Sequence, residues 1–286
     1  MGLLTLNRDS VKEAYGLRPG IPPRVIIALL IAAFSVFTYF ASSSYNPITD
    51  TKQHISITRD QEIALGLQAK PQMERQYGGE SRDIRKQALV KEIGAEVVSK
   101  SAASKTPYRY EFHLLADPST INAFALPGGQ VFITQGLLSH LTTRGQVASV
   151  LSHEIGHVAA RHSAQHLAKQ RLTEGLTGAT VIATYDPNDG NSRASAQVAM
   201  MVGQLVNLKF NRNDELEADR LGVRFAAESG YDPRSMIKLM EVLRDTSRSR
   251  QAEFFATHPN PENRIEKINA VINEQFPQGI PEGLRQ

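Results

Sequence analysis

The stretch LSHEIGHVAARH, Leu151 to His162, carries two histidines four residues apart, with a glutamate directly after the first. At about 100° per residue, a helix would place His153 and His157 roughly 40° apart on one face, close enough for both imidazoles to bind one metal ion. Glu154 is poorly placed as a third ligand, but its carboxylate can reach a water molecule at the metal and take its proton. The stretch therefore predicts a helical metal site with Glu154 as catalytic base.

Two more histidines follow in the same run, His162 and His166. On one continuous helix they would lie about 180° and 220° from His153, on the opposite face, so a surface or packing role is the favoured interpretation. The chain has no cysteine, and Ala160 and Ser163 stand where a metzincin would need Gly and His. The third ligand is therefore expected to be a carboxylate from elsewhere in the chain.

The segment NRNDELEADRLG, residues 211–222, offers such a carboxylate. Glu215 and Asp219 are four residues apart and would share one helix face. If Glu215 binds the metal, Asp219 can accept the free N–H of a ligating histidine and orient its ring. Glu217 would point about 200° away from Glu215 and is expected to be solvated. Taken alone the segment would be an exposed acidic helix face; together with the histidine motif it predicts a ligand and its supporting carboxylate.

An apolar segment without charges, VIIALLIAAFSVFTYFA, occupies residues 25–41. Its length is about that needed to cross a bilayer with some tilt or thinning. Basic residues precede it, and none follows until Lys52, which predicts a cytoplasmic N-terminus with the rest of the chain across the membrane. A cleaved signal peptide is the main alternative, since residues 41–43 are small, and a buried soluble helix is the other.

The composition is that of a folded protein, with 286 residues, 41% hydrophobic and 21% charged. The net charge of +3 is spread along the chain without a dense basic block, so nucleic acid is not an expected partner. Helical periodicity dominates, while residues 108–117 and 128–138 alternate like strands and predict a small antiparallel sheet. Residues 146–170 are expected to form one helix. The fold class predicted is α+β, mainly helical, preceded by one transmembrane helix.

Five segments carry a family resemblance, in the family's order: EIALGLQA (62–69), INAFALPGGQVFITQGLL (121–138), LSHEIGHVAARHSAQ (151–165), NRNDELEADRLG (211–222) and THPNPENRI (257–265). They resemble the gluzincin zinc metallopeptidases of family forty-eight, which include CAAX prenyl endopeptidase, HtpX, Oma-type and BepA-like proteins, and are closest to the periplasmic BepA-like branch. The resemblance implies a zincin-like domain in which His153, His157 and Glu215 hold one Zn²⁺ per chain, with Glu154 as base.

The resemblance also implies roles for three further regions. The strand residues Asn122, Ala123, Phe124 and Ala125 are implied to form an edge above the zinc, onto which a polypeptide substrate adds as another strand, although an ordinary core hairpin is also consistent with them. His258 is implied to approach the zinc, either holding a latent state or stabilising the oxyanion. Arg264 is implied to assist there or to anchor the loop. From spacing alone, His258 would be a surface histidine.

The domain organisation expected is a cytoplasmic leader (1–24), a transmembrane signal anchor (25–41), a linker (42–58), a zinc metallopeptidase domain (59–276) and a C-terminal tail (277–286). About twenty residues follow Arg264, so the repeat domain of the BepA-like branch is not expected. The segment from about Leu167 to Phe210 is expected to act as a lid or partner surface.

The predicted function is a zinc endopeptidase of the bacterial inner membrane, with its catalytic domain periplasmic, that cleaves misfolded or membrane-associated polypeptides; release into the periplasm after signal cleavage is the alternative location. A latent zinc-containing chaperone or scaffold is the alternative function. A membrane-surface structural protein without metal is a third.

Overall fold

A computed structural model describes residues 21–184, 210–247, 253–259 and 263–286 of the chain. Most of the predicted leader, up to residue 20, and much of the predicted lid, residues 185–209, lie outside the described residues.

Ten α-helices, one short 3-10 helix (Ala102–Lys105) and five strands follow one another along the described residues. The helices are α1 (Pro23–Ala41), α2 (Arg59–Gln76), α3 (Ile84–Lys100), α4 (Gln135–His140), α5 (Arg144–Ala159), α6 (His162–Thr184), α7 (Arg212–Glu228), α8 (Ser235–Ser247), α9 (Phe254–Thr257) and α10 (Arg264–Gln275). The strands are β1 (Ser43–Asn46), β2 (Thr51–His54), β3 (Glu111–Leu115), β4 (Ala123–Leu126) and β5 (Gln130–Thr134). The mainly helical α+β class is confirmed.

The main sheet has three strands in the order β3-β5-β4. Strand β4 runs antiparallel to β5, with Ala123 opposite Ile133. Strand β3 runs parallel to β5, with Glu111 opposite Gln130. The expectation that residues 108–117 and 128–138 pair in antiparallel fashion is therefore wrong. The chain reverses twice between them, once before β4 and once at the Pro-Gly-Gly turn after it, so β3 and β5 point the same way.

Helix α5 lies at the centre of the fold, and the residues from Gly145 to Ala159 are all buried. The side chain of Thr143 accepts from the backbone N–H of Gln146, and the side chain of Gln146 accepts in turn from Thr143, so a capping box fixes the start of the helix. Helix α7 packs closely along α5. A Cβ on Gly156 would lie 3.0 Å from the carbonyl oxygen of Ala218, so glycine allows this close approach.

The helix expected over residues 146–170 is interrupted, and that expectation is wrong. Helix α5 ends at Ala159, and Arg161 has a left-handed backbone with φ of 58° before α6 begins. Arg161 donates hydrogen bonds to the buried carboxylate of Glu62 on α2, which also accepts from the hydroxyl of Tyr108. This ion pair holds an arginine in a conformation that side chains seldom adopt, and periodicity carries no sign of it.

Helix α1 is long and apolar enough to span a membrane, and most of its large side chains are exposed. Behind it, within the residues expected to form a linker, β1 and β2 make an antiparallel hairpin. Asn46 and Gln53 of this hairpin donate to the carbonyl oxygens of Ala159 and Ala160 at the end of α5. The hairpin therefore attaches α1 to the helix that carries the histidine motif.

Candidate metal centre

The two histidines of α5 point their Nε2 atoms at each other, 3.1 Å apart. Two nitrogens bound to one tetrahedral zinc at about 2.0–2.1 Å lie roughly 3.3 Å apart, so this spacing suits a shared ion. Both side chains are almost fully buried. His153 and His157 are thus brought together as the sequence predicts, with lone pairs that need a cation or a proton between them.

Helix α7 brings Glu215 to the same point. Its side-chain oxygens lie 3.6 Å from the Nε2 atom of His153 and 3.4 Å from that of His157. Asn211 caps the helix, and its side chain accepts from the backbone N–H groups of residues 213 and 214. Burial by itself raises the pKa of Glu215, but its hydrogen bonds with the histidines hold that pKa far below its usual range. The carboxylate is therefore ionised and available as a ligand.

His258 completes a group of four side chains whose potential ligand atoms all lie within 4.8 Å of one another: His153, His157, Glu215 and His258. Its Nδ1 atom is 3.0 Å from Glu215 Oε1, and its ring is fully buried and stacked on Phe254. Spacing alone would have made His258 a surface residue; the family resemblance was the only sequence signal for it.

Glu154 faces this group without a hydrogen bond. Both of its carboxylate oxygens are buried and have no hydrogen-bond partner among the described residues, and Oε1 lies 3.7 Å from His258 Nε2. Burial raises the pKa of Glu154. An unsatisfied buried carboxylate is costly unless it serves a function or bonds to water or an ion. Its position suits a group that exchanges protons with a substrate.

Asp219 and Arg264 support the first histidine from behind. Asp219 Oδ1 lies 2.9 Å from His153 Nδ1, and the guanidinium of Arg264 donates to both Asp219 oxygens at 2.7 and 2.8 Å. Burial lowers the pKa of His153, but Asp219 and Glu215 outweigh it and raise that pKa to about 9. Arg264 also lies 3.1 Å from Glu215 Oε2. One arginine thus compensates two buried carboxylates at the centre.

His162 supports the second histidine, although a continuous helix would have placed it on the opposite face in a surface or packing role. It is fully buried, and its Nδ1 atom lies 2.8 Å from His157 Nδ1. Its Nε2 atom lies 2.9 Å from Glu217 Oε2, and Glu217 is partly exposed to solvent, as expected, while also bonded to His162. If His157 keeps Nε2 free for a metal, its Nδ1–H donates to His162, whose Nε2–H donates to Glu217. The break at Arg161 turns His162 back toward the site, so helical angles could not predict it.

The other histidine of the run, His166, lies at a groove beside the centre. Its Nε2 atom is 2.6 Å from Asp214 Oδ2. The groove has a volume of about 400 Å³ and is lined by α2, β4, the start of α6 and His258. Strand β4 lies at the edge of the sheet in the described part of the chain.

Among the strand residues expected to bind substrate, Asn122, Ala123 and Phe124 are buried, and Ala125 is half-buried. The side chain of Asn122 donates to the hydroxyl of Tyr77, and Phe124 stacks on Phe132. These side chains are engaged inside the domain. Asn122, Phe124 and Ala125 nevertheless line the groove beside this edge, together with the strand backbone.

The donor set fits zinc. Two imidazoles and one carboxylate are ligands that zinc takes in hydrolytic enzymes, and the chain contains no cysteine to form a thiolate site. The model of peptidase family M48 matches residues 85–272, which is more than half of the chain. The chain belongs to peptidase family M48. Members of this family are peptidases, and the family resemblance of the five segments is confirmed.

Curated relatives carry protease names. The chain is 29% identical over 267 residues to the beta-barrel assembly-enhancing protease of Escherichia coli, covering 89% of this chain and 53% of that protein. It is 31% identical over 252 residues to a putative beta-barrel assembly-enhancing protease of Vibrio cholerae, covering 85% of this chain and 51% of that protein. It is 28% identical over 254 residues to the mitochondrial metalloendopeptidase OMA1 of Schizosaccharomyces pombe, covering 87% of this chain and 72% of that protein. The chain thus spans about half the length of the bacterial relatives.

Proposed function

We propose that the chain is a zinc endopeptidase of the bacterial cell envelope that cleaves misfolded or membrane-associated polypeptides. The observation that carries this proposal is the convergence of His153 and His157 Nε2 on the carboxylate of Glu215, beside the buried carboxylate of Glu154. Residues 59–276 would form the peptidase domain. Residues 277–286 would be a tail.

In the proposed mechanism, His153, His157 and Glu215 hold the ion. A zinc ion supplies Lewis acidity, which polarises a carbonyl group and lowers the pKa of water. Glu154 takes the proton of the attacking water on a carboxylate oxygen and later passes it to the leaving amine. Its raised pKa suits this double role, because a carboxylate with a low pKa accepts a proton from water poorly. His258, whose Nε2 atom lies 3.7 Å from Glu154 Oε1, is proposed to stabilise the oxyanion.

The remaining groups are proposed to fix this geometry. Asp219, itself held by Arg264, orients the ring of His153. His162 and Glu217 do the same for His157. Such partners set the tautomer of a ligating histidine and raise its basicity. Each ligand histidine thus has its own carboxylate, reached directly in one case and through a second imidazole in the other.

Substrate is proposed to bind in extended form along the free edge of β4. An added strand would make main-chain hydrogen bonds to residues 122–125 and would bring its scissile bond over the ligand group. The groove beside this edge is lined with apolar side chains such as Leu65, Met73 and Leu126, which would favour exposed hydrophobic segments. Misfolded polypeptides expose such segments.

The protein is proposed to be anchored by residues 25–41 in the inner membrane, with a cytoplasmic leader (1–24), a connecting segment (42–58) and the catalytic domain in the periplasm. Helix α1 is long and apolar enough to span the bilayer, which supports the anchoring, and the basic residues before it support the orientation. The bacterial relatives are named for enhancing assembly of beta-barrels, which suits an envelope location.

A latent scaffold is the second candidate, favoured by one observation. His258 is fully buried within the ligand group, where it can occupy a metal position. The variant His258→Ala separates the two roles. A fall in turnover supports oxyanion stabilisation, and a rise supports a latent state that His258 maintains.

The test of the proposed function compares the wild type with Glu154→Gln in the degradation of a denatured protein. Glu92→Gln, which changes an exposed glutamate on α3, is the matched control. The account expects loss of degradation in Glu154→Gln with zinc retained, and full activity in the control. Equal rates in all three proteins would reject the peptidase, and equal complementation in cells by Glu154→Gln would favour the scaffold.

A further inference from the structure

Helix α6 leads from the metal centre to helix α1. It begins at His162, beside His157, and packs along α1 in its second half. The contact is close, because a Cβ built on Gly175 would lie 2.1 Å from Ser35 Oγ. Ala179, one turn further along α6, is buried as well, as is Ala28 on α1. Small residues four apart on a helix are typical of tight helix pairing in membranes.

The two helices run in opposite directions. One cavity is lined by Ala168, Arg171 and Leu172 of α6 together with Tyr39 and Ser42 at the end of α1. Gly175, further along α6, contacts Ser35, which comes earlier in α1. At about 1.5 Å per residue, Thr184 lies roughly 13 Å beyond Gly175, level with the first turns of α1. Helix α6 thus follows α1 for most of the length that is expected to cross the bilayer.

The chemistry of this part of α6 suits a lipid environment. No charged residue occurs from Gly175 to Thr184. The hydroxyl of Thr180 donates to the carbonyl oxygen of Leu176 within the helix, so it needs no water. Leu176 is 37% exposed. The last charged residues, Arg171 and Glu174, precede this stretch, and Arg171 donates to the backbone carbonyl of Ser56 beyond the end of α1.

We propose that residues 175–184 of α6 enter the bilayer beside α1 as a second membrane-embedded segment, an inference that rests on the proposed anchoring of α1. The same register puts Leu167 and Gln170, which line the substrate groove, within about one turn of the level of Ala41. The groove then opens at the membrane surface. The substrate class that fits this position is a polypeptide that is leaving or lying on the bilayer, rather than one free in the periplasm.

The test uses the absence of native cysteine, which makes every introduced thiol a unique label. Bimane is attached to Leu176→Cys, to Phe37→Cys on the exposed face of α1, and to Ile84→Cys on α3 as the control outside the membrane. Full-length protein is reconstituted in vesicles whose lipids carry a nitroxide on the acyl chain. The proposal expects quenching of Leu176→Cys within about twofold of Phe37→Cys, and little quenching of Ile84→Cys.

The outcomes distinguish the inference from the anchor on which it rests. Quenching of Phe37→Cys without quenching of Leu176→Cys would leave the anchor in place and overturn the insertion of α6. Absence of quenching in both would overturn the anchor together with this inference. Neither outcome bears on peptidase activity, which is measured separately through Glu154→Gln.

Discussion

His162 Nδ1 lies 2.8 Å from His157 Nδ1, although the two residues belong to different helices and the backbone between them passes through a left-handed arginine. A continuous helix would place His162 on the opposite face, but in the structure it lies next to the expected ligand His157. It also connects that ligand to Glu217. The consequences for metal affinity are measurable.

Replacing His162 with alanine is expected to weaken zinc binding by about 10- to 100-fold, because His157 loses the partner that fixes its ring. Competition with a chromogenic chelator measures the affinity. His166→Ala is the control, since His166 pairs with Asp214 instead. Identical affinities in the two variants would contradict the assigned role of His162.

Replacing Arg264 with alanine is expected to destabilise the metal-free protein by about 3–5 kcal/mol, because two buried carboxylates, Asp219 and Glu215, lose their compensating charge. Arg220→Ala removes an exposed pair with Glu274 and is expected to cost at most about 1 kcal/mol. Thermal unfolding of both variants in detergent makes the comparison. Similar shifts in Tm would show that Arg264 does not carry this charge balance.

Packing between α1 and α6 is expected to depend on Gly175 and not on Gly178, three residues further along α6. Gly175→Leu would force a side chain into Ser35, and it is expected to cost about 1–3 kcal/mol by overpacking. Gly178→Leu adds the same side chain to the same helix, but a Cβ there meets no atom within 4 Å among the described residues. Thermal unfolding in reconstituted membranes should separate the two. Equal destabilisation would contradict the close pairing of these helices.

Acid sensitivity is expected to involve Glu96 on α3. Hydrogen bonds from Arg285 above all, and also from Lys100 and Tyr231, lower the pKa of Glu96 to about 2 against the opposing effect of burial. A carboxylate whose pKa is lowered on folding stabilises the folded protein at pH values above its unfolded-state pKa of about 4.5. This contribution is lost as the pH falls toward 2. The interaction is expected to contribute on the order of 2 kcal/mol at neutral pH.

The variant Glu96→Gln tests this assignment by its pH dependence. At pH 7 its Tm should lie below that of the wild type, and the difference should shrink as the pH falls from about 4.5 to 2. A difference that stays constant over this range would mean that the side chain acts by packing and not by its charge.

The sequence was sufficient to predict the parts of the centre that depend on helical spacing. His153 and His157 converge because they are four residues apart on one helix, and Glu215 and Asp219 share a face for the same reason. These relationships within each helix could be anticipated without knowledge of how α5 and α7 pack, whereas the approach of Glu215 to the two histidines depends on that packing.

Features that depend on distant contacts could not be anticipated. Arg161 breaks the helix, and it pairs with Glu62, which is far away in the sequence. The parallel pairing of β3 with β5 depends on the path of the chain through β4, which strand periodicity does not record. His258 directly follows α9, and its burial depends on its stacking against Phe254, the first residue of that helix. In each case local pattern identifies the residue type, while its surroundings are set by tertiary structure.

The proposed function depends on one zinc ion held jointly by α5 and α7, and the zinc content of Glu215→Ala shows whether α7 supplies a ligand. Elemental analysis of the purified protein is compared with wild type and with Glu92→Ala, while circular dichroism checks that each variant is folded. We expect about one zinc per chain in the wild type and the control, and little or none in folded Glu215→Ala. Full zinc occupancy in folded Glu215→Ala would contradict it.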